Sequence, residues 1–132
     1  MSSSTATRAR PVSPHLTIYR FTPTMAMSIM HRITGIALYF GMLLVAAWLV
    51  AAASDPSWFD AVNRIVGSWF GILVLIGFTW AMYHHLFGGI RHFIWDTGVG
   101  MEKTTSTRLA QLTLVASLLF TAATWAAYFI WF

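Results

Sequence analysis

Two short polar runs interrupt an otherwise apolar chain, and both carry side chains that do chemistry. The first is Ser28-Ile29-Met30-His31-Arg32-Ile33-Thr34-Gly35, and the second is His84-His85-Leu86-Phe87-Gly88-Gly89-Ile90-Arg91-His92. On a helix, Ser28, Arg32 and Gly35 share one stripe with His31 beside it. A hydroxyl, an imidazole and a guanidinium together can hold a carbonyl oxygen and steady negative charge developing on it. They can equally pair with carboxylates of a haem. In the second run His85, Gly89 and His92 recur at i, i+4 and i+7, with Gly88 next to their stripe. An imidazole with glycines one turn on supplies a nitrogen ligand and room for a flat ring.

Depth makes these groups costly. His85 precedes Arg91 by six residues, roughly 9 Å of helical rise. If Arg91 marks the headgroups, His85 lies in hydrocarbon, where a neutral imidazole needs a hydrogen-bond partner or a metal. Iron fits, with Gly88 and Gly89 leaving space for a porphyrin. Arg91, Arg32 and His31 fall at one membrane level and can neutralise propionates there. His84 points about 100° away from His85 and reads as a packing or hydrogen-bonding neighbour. His92, at the interface, reads as a solvated histidine. No second axial ligand sits at a plausible height, His31 being a candidate only if the first span is pushed inward, so another chain is expected to supply it. A six-coordinate bis-histidine haem transfers electrons and leaves no position for oxygen.

The elements that position these residues are membrane spans. The chain is 58% hydrophobic and only 9% charged, too little charge for a soluble domain of this size. Three apolar stretches are long enough to cross a bilayer. The expected fold class is an all-α membrane protein in a single anchor domain. It has an N-terminal interfacial arm over about 1–23 and spans over about 24–53, 66–90 and 109–132. Pro11, Pro14 and Pro23 forbid a continuous helix before the first span. His15, Tyr19 and Arg20 among apolar neighbours suggest an arm lying on the interface or on a soluble partner. Three helices bury few side chains alone, so partner helices are expected. Gly67-x-x-x-Gly71 at the start of the second span would permit close helix approach.

Arg8, Arg10, Arg20 and Arg32 precede or open the first span, and Arg91, Lys103 and Arg108 flank the loop between the second and third. Only Arg64 lies on the other side, so the positive-inside rule puts the N-terminus in the cytoplasm. Ser54-Asp55-Pro56-Ser57-Trp58 reads as a turn with a helix N-cap. Trp48, Trp58, Trp69, Trp125 and Trp131 fall at the outer interface and Trp95 at the inner one, as an aromatic belt. Met1 to Arg10 reads as a short tail, neither transit nor signal peptide, favouring a bacterial inner membrane over a mitochondrial one. The chain has no cysteine, which excludes its own iron–sulfur ligation, thiolate haem ligation and disulfides. No nucleic-acid motif is present.

At these residues the chain resembles the cytochrome b subunit of succinate dehydrogenase, a membrane anchor of respiratory complex II. One signature runs from Arg10-Pro11-Val12 through Leu16 to Ser28-x-x-His31-Arg32-x-Thr34. The other is His85-x-x-x-Gly89-Ile90-Arg91-His92-Phe93, continuing to Trp95-Asp96-x-Gly98. The resemblance implies a second anchor subunit of three helices, with one haem b held between the two. His85 maps to the axial ligand, and the partner anchor supplies the other histidine. Ser28 and Arg32 map to a ubiquinone pocket near the iron–sulfur subunit, with His31 close to quinone and propionates. The implied reaction passes electrons from succinate to ubiquinone. FAD and iron–sulfur clusters would reside on the flavoprotein and iron–sulfur subunits, and succinate would not bind here. The competing expectations are the anchor of a quinol:fumarate reductase and a structural membrane subunit without redox function.

Overall fold

The computed structural model describes residues 15, 18 and 20–131. Most of the arm expected over 1–23, with Arg8, Arg10 and Tyr19, lies outside the described residues. Four helices follow: α1 (Pro23–Ser54), α2 (Pro56–Val66), α3 (Trp69–Asp96) and α4 (Lys103–Trp131). The fold is all-α, with three helices long and apolar enough to cross a membrane. Their mean hydropathies are 2.3 for α1, 1.5 for α3 and 1.6 for α4. At 32 residues α1 is about 48 Å long, well over the ~30 Å of a hydrocarbon core, so it is long enough to cross with several turns to spare.

Each helix begins where the local chemistry dictates. Thr22 caps α1, its hydroxyl accepting from the Met25 amide, and Pro23 takes the first-turn position that needs no amide donor. Asp55 caps α2, its carboxylate accepting from the amides of Ser57 and Trp58 and from the Ser57 hydroxyl. Those bonds hold the exposed Asp55 carboxyl below the usual carboxylate range, the Ser57 hydroxyl contributing most. Ser68 caps α3 through the Gly71 amide at 3.1 Å.

The helices differ in extent from the apolar stretches. The second apolar stretch is divided: Val66 ends α2, and α3 starts only at Trp69 and continues through the polar run to Asp96. The third span begins at Lys103, where Thr and Ser residues extend α4 ahead of the apolar segment. Gly67 and Gly71 do not form a helix–helix contact motif. Gly67 caps the end of α2, and a Cβ on Gly71 would strike the Ile65 and Val66 carbonyls, so Gly71 permits the tight corner into α3. At that corner Trp48 Nε1 donates to Asn63 Oδ1 at 3.0 Å and ties α2 to α1.

Helix α3 is the spine, packed against α1 on one side and α4 on the other. Its inward stripe is Ala81, His84, Gly88 and Arg91. The inward stripe of α4 is Ala110, Thr113, Ser117 and Thr121. The α3–α4 connection is short, with Gly98 and Gly100 both at φ +79°. Trp95 Nε1 closes it by donating to the Gly100 carbonyl at 3.1 Å.

Candidate cofactor and quinone site at the α1–α3 seam

Helices α1 and α3 approach closely because each presents a glycine to the other's histidine. The His85 ring lies over Gly35, where a Cβ would come within 3.0 Å of Cε1. The His31 ring lies over Gly88, where a Cβ would run into Cδ2. Higher on the seam, Gly41 makes room for the Phe78 ring in the same way. The two imidazoles stack with centroids 3.9 Å apart and planes 16° from parallel.

Hydrogen bonds fix both rings. His85 Nδ1 lies 3.1 Å from the His31 carbonyl, and His31 Nε2 lies 3.2 Å from the His85 carbonyl. A carbonyl only accepts, so each of these nitrogens carries the proton. The buried Thr34 hydroxyl stands 3.5 Å from the same His85 Nδ1 and donates to the Met30 and His31 carbonyls. The neutral His85 ring therefore presents Nε2 with a free lone pair, the arrangement a metal-ligating histidine requires. His85 is half-buried, and Gly89 has nothing within 4 Å of the position a Cβ would take. The His31 ring is stacked on His85 and its Nε2 is taken up by the His85 carbonyl, so His31 supports His85 and would leave a second ligand to another chain. Among the described residues no cluster of three metal-ligating side chains occurs.

The second constellation sits one turn earlier on α1. Arg32 Nη2 donates to Ser28 Oγ at 3.2 Å, and Arg32 is exposed. Because Ser28 accepts from the guanidinium, its own hydroxyl proton is polarised and available to an outside acceptor. Ser28 and Arg32 thus form a pair, whereas His31 joins His85 and also meets His92 edge-on at 5.3 Å.

Several placements refine the sequence expectations. Gly88 does not leave open room, because His31 fills it; the open glycine is Gly89. Gly35 turns from the Ser28–Arg32 stripe towards His85. Arg91 does not join Arg32 at the seam. It is 3% exposed, follows His84 and Gly88 on the inward stripe, and lines an apolar groove with Phe87, Leu109, Leu112 and Thr113. Its guanidinium lies 5.0 Å from the Trp95 ring centroid. His84 is fully buried as a packing residue, 5.3 Å from the Trp80 ring, and neither ring nitrogen has a hydrogen-bond partner among the described residues. Thr34 and Gly35 support His85 without being candidates on sequence; the signal for them is their place three and four residues after His31, on the helix face it presents.

Comparison with known proteins agrees with this architecture. Residues 6–124 match the family model for the succinate dehydrogenase/fumarate reductase transmembrane subunit. The chain is 39% identical over 121 residues to the succinate dehydrogenase cytochrome b556 subunit of Paracoccus denitrificans, covering 92% of this chain and 93% of that one. It is 34% identical over 116 residues to the b556 subunit of Rickettsia felis, covering 88% and 90%. It is 37% identical over 112 residues to the mitochondrial cytochrome b560 subunit of Sus scrofa, covering 83% and 66%. Apolar spans, the paired polar turns and similarity along nearly the whole length converge: this chain belongs to the succinate dehydrogenase/fumarate reductase transmembrane subunit family.

Proposed function

We propose that this chain anchors a succinate:ubiquinone oxidoreductase, ligates its haem b through His85 and builds part of the ubiquinone site with Ser28 and Arg32. The observation that carries the reading is the His85 ring, seated on Gly35 with Nδ1 held by the His31 carbonyl and Nε2 left unbonded among the described residues. The residues fit the group. One nitrogen is available, its tautomer is set, and the neighbouring helix surface lacks a side chain. His84 fits less well, because it is sealed inside this chain's own bundle. A haem held here supplies a one-electron centre. It would lie between this chain and a second anchor subunit that provides the other axial histidine. His31 and Arg32 balance the propionates at its edge, and Arg91 adds positive charge from inside the bundle.

At the quinone, Ser28 donates its hydroxyl proton to one carbonyl oxygen, a donation strengthened by the Arg32 bond to Ser28 Oγ. Arg32 offsets the negative charge that grows on that oxygen as electrons arrive. Reduction to quinol consumes two electrons and two protons. The electrons derive from succinate through flavin and iron–sulfur clusters on the flavoprotein and iron–sulfur subunits, since this chain has no cysteine to hold a cluster. The charge distribution supports an N-terminus in the cytoplasm of a bacterial inner membrane. The succinate dehydrogenase names of the relatives favour this direction over quinol:fumarate reduction.

The test is an optical spectrum of the dithionite-reduced complex, paired with two assays. A b-type α band is expected, and its absence would leave the structural-subunit reading. Ser28→Ala should slow quinone reduction about tenfold, the worth of one hydrogen bond. Arg32→Leu should slow it roughly a hundredfold. Succinate oxidation by an artificial dye should survive in both, and parallel losses in the two assays would count against the quinone role.

A further inference from the structure

We infer that His31 is a positioning residue for His85: the stacked pair clamps the axial imidazole's ring plane and tautomer from within this chain, and Gly88 is the seat that permits the clamp. The inference rests on His85 being the haem ligand.

The geometry is reciprocal. Each imidazole donates to the other's backbone carbonyl, at 3.1 and 3.2 Å, and each ring lies on the other helix's glycine. The rings are close to parallel, 3.9 Å apart. Rotation of His85 about its side-chain bonds would break its Nδ1 bond and drive its edge into His31 or Gly35. His85 is thus held more tightly than one hydrogen bond requires. Orientation and basicity of a metal-bound imidazole are set by such supports, so the clamp bears on the iron's spectrum and potential. Gly88 is the weak point of the device. Its nearest neighbour is the His31 ring, and any Cβ there collides with His31 Cδ2.

The experiment uses the assembled complex and reads the low-spin haem EPR signal, the haem midpoint potential and the haem content. Gly88→Ala displaces the His31 ring, and His31→Ala removes it. Each should keep haem but move the largest g value, which reports the axial ring orientations. Each should also raise the midpoint potential, because a slackened Nδ1 bond makes His85 a poorer donor to ferric iron. In the His31→Ala background there is no ring to displace, so adding Gly88→Ala should change neither readout further. Such non-additivity marks an effect that travels through His31. Gly77→Ala, where a Cβ meets nothing within 4 Å, is the control on the same helix and should leave the signal unchanged.

If Gly88→Ala does not assemble, His31→Ala carries the test, since it adds no bulk. Unchanged g values and potential in His31→Ala would overturn the inference while leaving His85 as ligand. Additive shifts in the double variant would overturn it too, by showing that Gly88 acts without His31. Retention of haem in His85→Ala would instead remove the ligand assignment itself.

Discussion

The two seams of α3 solve the same problem in opposite ways. Both bury polar side chains in a bundle built for lipid. At the α1–α3 seam the polar groups cross between helices: His31 and His85 exchange carbonyl bonds, and Thr34 stands beside them. At the α3–α4 seam most hydroxyls turn back onto their own helix. Thr113, Ser117 and Thr121 donate to the carbonyls of Leu109, Leu114 and Ser117. The cross-helix contacts there are carried by aromatic residues, with Phe120 against Tyr83 and Phe87 at 5.5 and 5.2 Å, the Tyr83 hydroxyl 3.0 Å from Thr124 Oγ1 and Trp125 Nε1 donating to Thr79 Oγ1 at 3.3 Å. His84 and Arg91 are enclosed behind this seam, and the ring nitrogens of His84 and Nε and Nη1 of Arg91 have no partner among the described residues. One seam thus joins its helices through a reciprocal imidazole pair. The other joins them through aromatic side chains, with an apolar groove beside the buried Arg91. Adjacent histidines acquire different fates because 100° of helical rotation separates their side chains: His85 lies on Gly35 of α1, and His84 is enclosed in the bundle interior.

The sharpest way to break that contrast is to exchange the histidines' roles. His85→Ala should abolish the b-type α band of the complex. His84→Leu should retain it, with unchanged or slightly higher thermal stability, since an apolar side chain removes unpaired buried nitrogens. Loss of haem from His84→Leu alone would reverse the assignment of the seams. A smaller effect is expected from Gly41→Ala. The added methyl meets the Phe78 ring, and overpacking of about 1–3 kcal/mol should lower the thermal midpoint without removing haem. An unchanged midpoint would mean that the α1–α3 seam is looser than its histidine end.

The smallest effect lies away from both seams, at the α2 cap. The Asp55 carboxyl is depressed in the folded chain, so its capping contribution is present above the unfolded carboxyl's range. It is lost as pH falls through the lower, folded value. Amide hydrogen exchange at Ser57 and Trp58 should therefore quicken in acid. Asp55→Asn, which keeps an acceptor but cannot titrate in that range, should flatten the response. If the acid response persists in that variant, another group controls the cap.

Much of this was legible before the fold. Apolar length and charge asymmetry gave the spans, and the spacing of Ser28 from Arg32 placed them within hydrogen-bond reach. The i, i+4, i+7 stripe of His85, Gly89 and His92 was also readable. What periodicity lacks is a neighbour. It places Gly88, Gly89 and Arg91 around one helix but does not say which face meets α1 and which meets α4. Arg91 was therefore expected beside Arg32 and lies in the α4 groove instead. The start of α2 was readable from the Asp55-Pro56 cap, but its extent was not, because its polar Asp60, Asn63 and Arg64 look like loop when only apolar runs are counted.

The α3–α4 turn has a mechanical consequence. Two glycines in the left-handed region and an indole pinned to a backbone carbonyl make it a bracket, with little play as a hinge. Helices α3 and α4 are thus clasped as a hairpin at this end, whereas α1 meets α3 at two separate ring-on-glycine joints, the His31–His85 pair and Phe78 on Gly41.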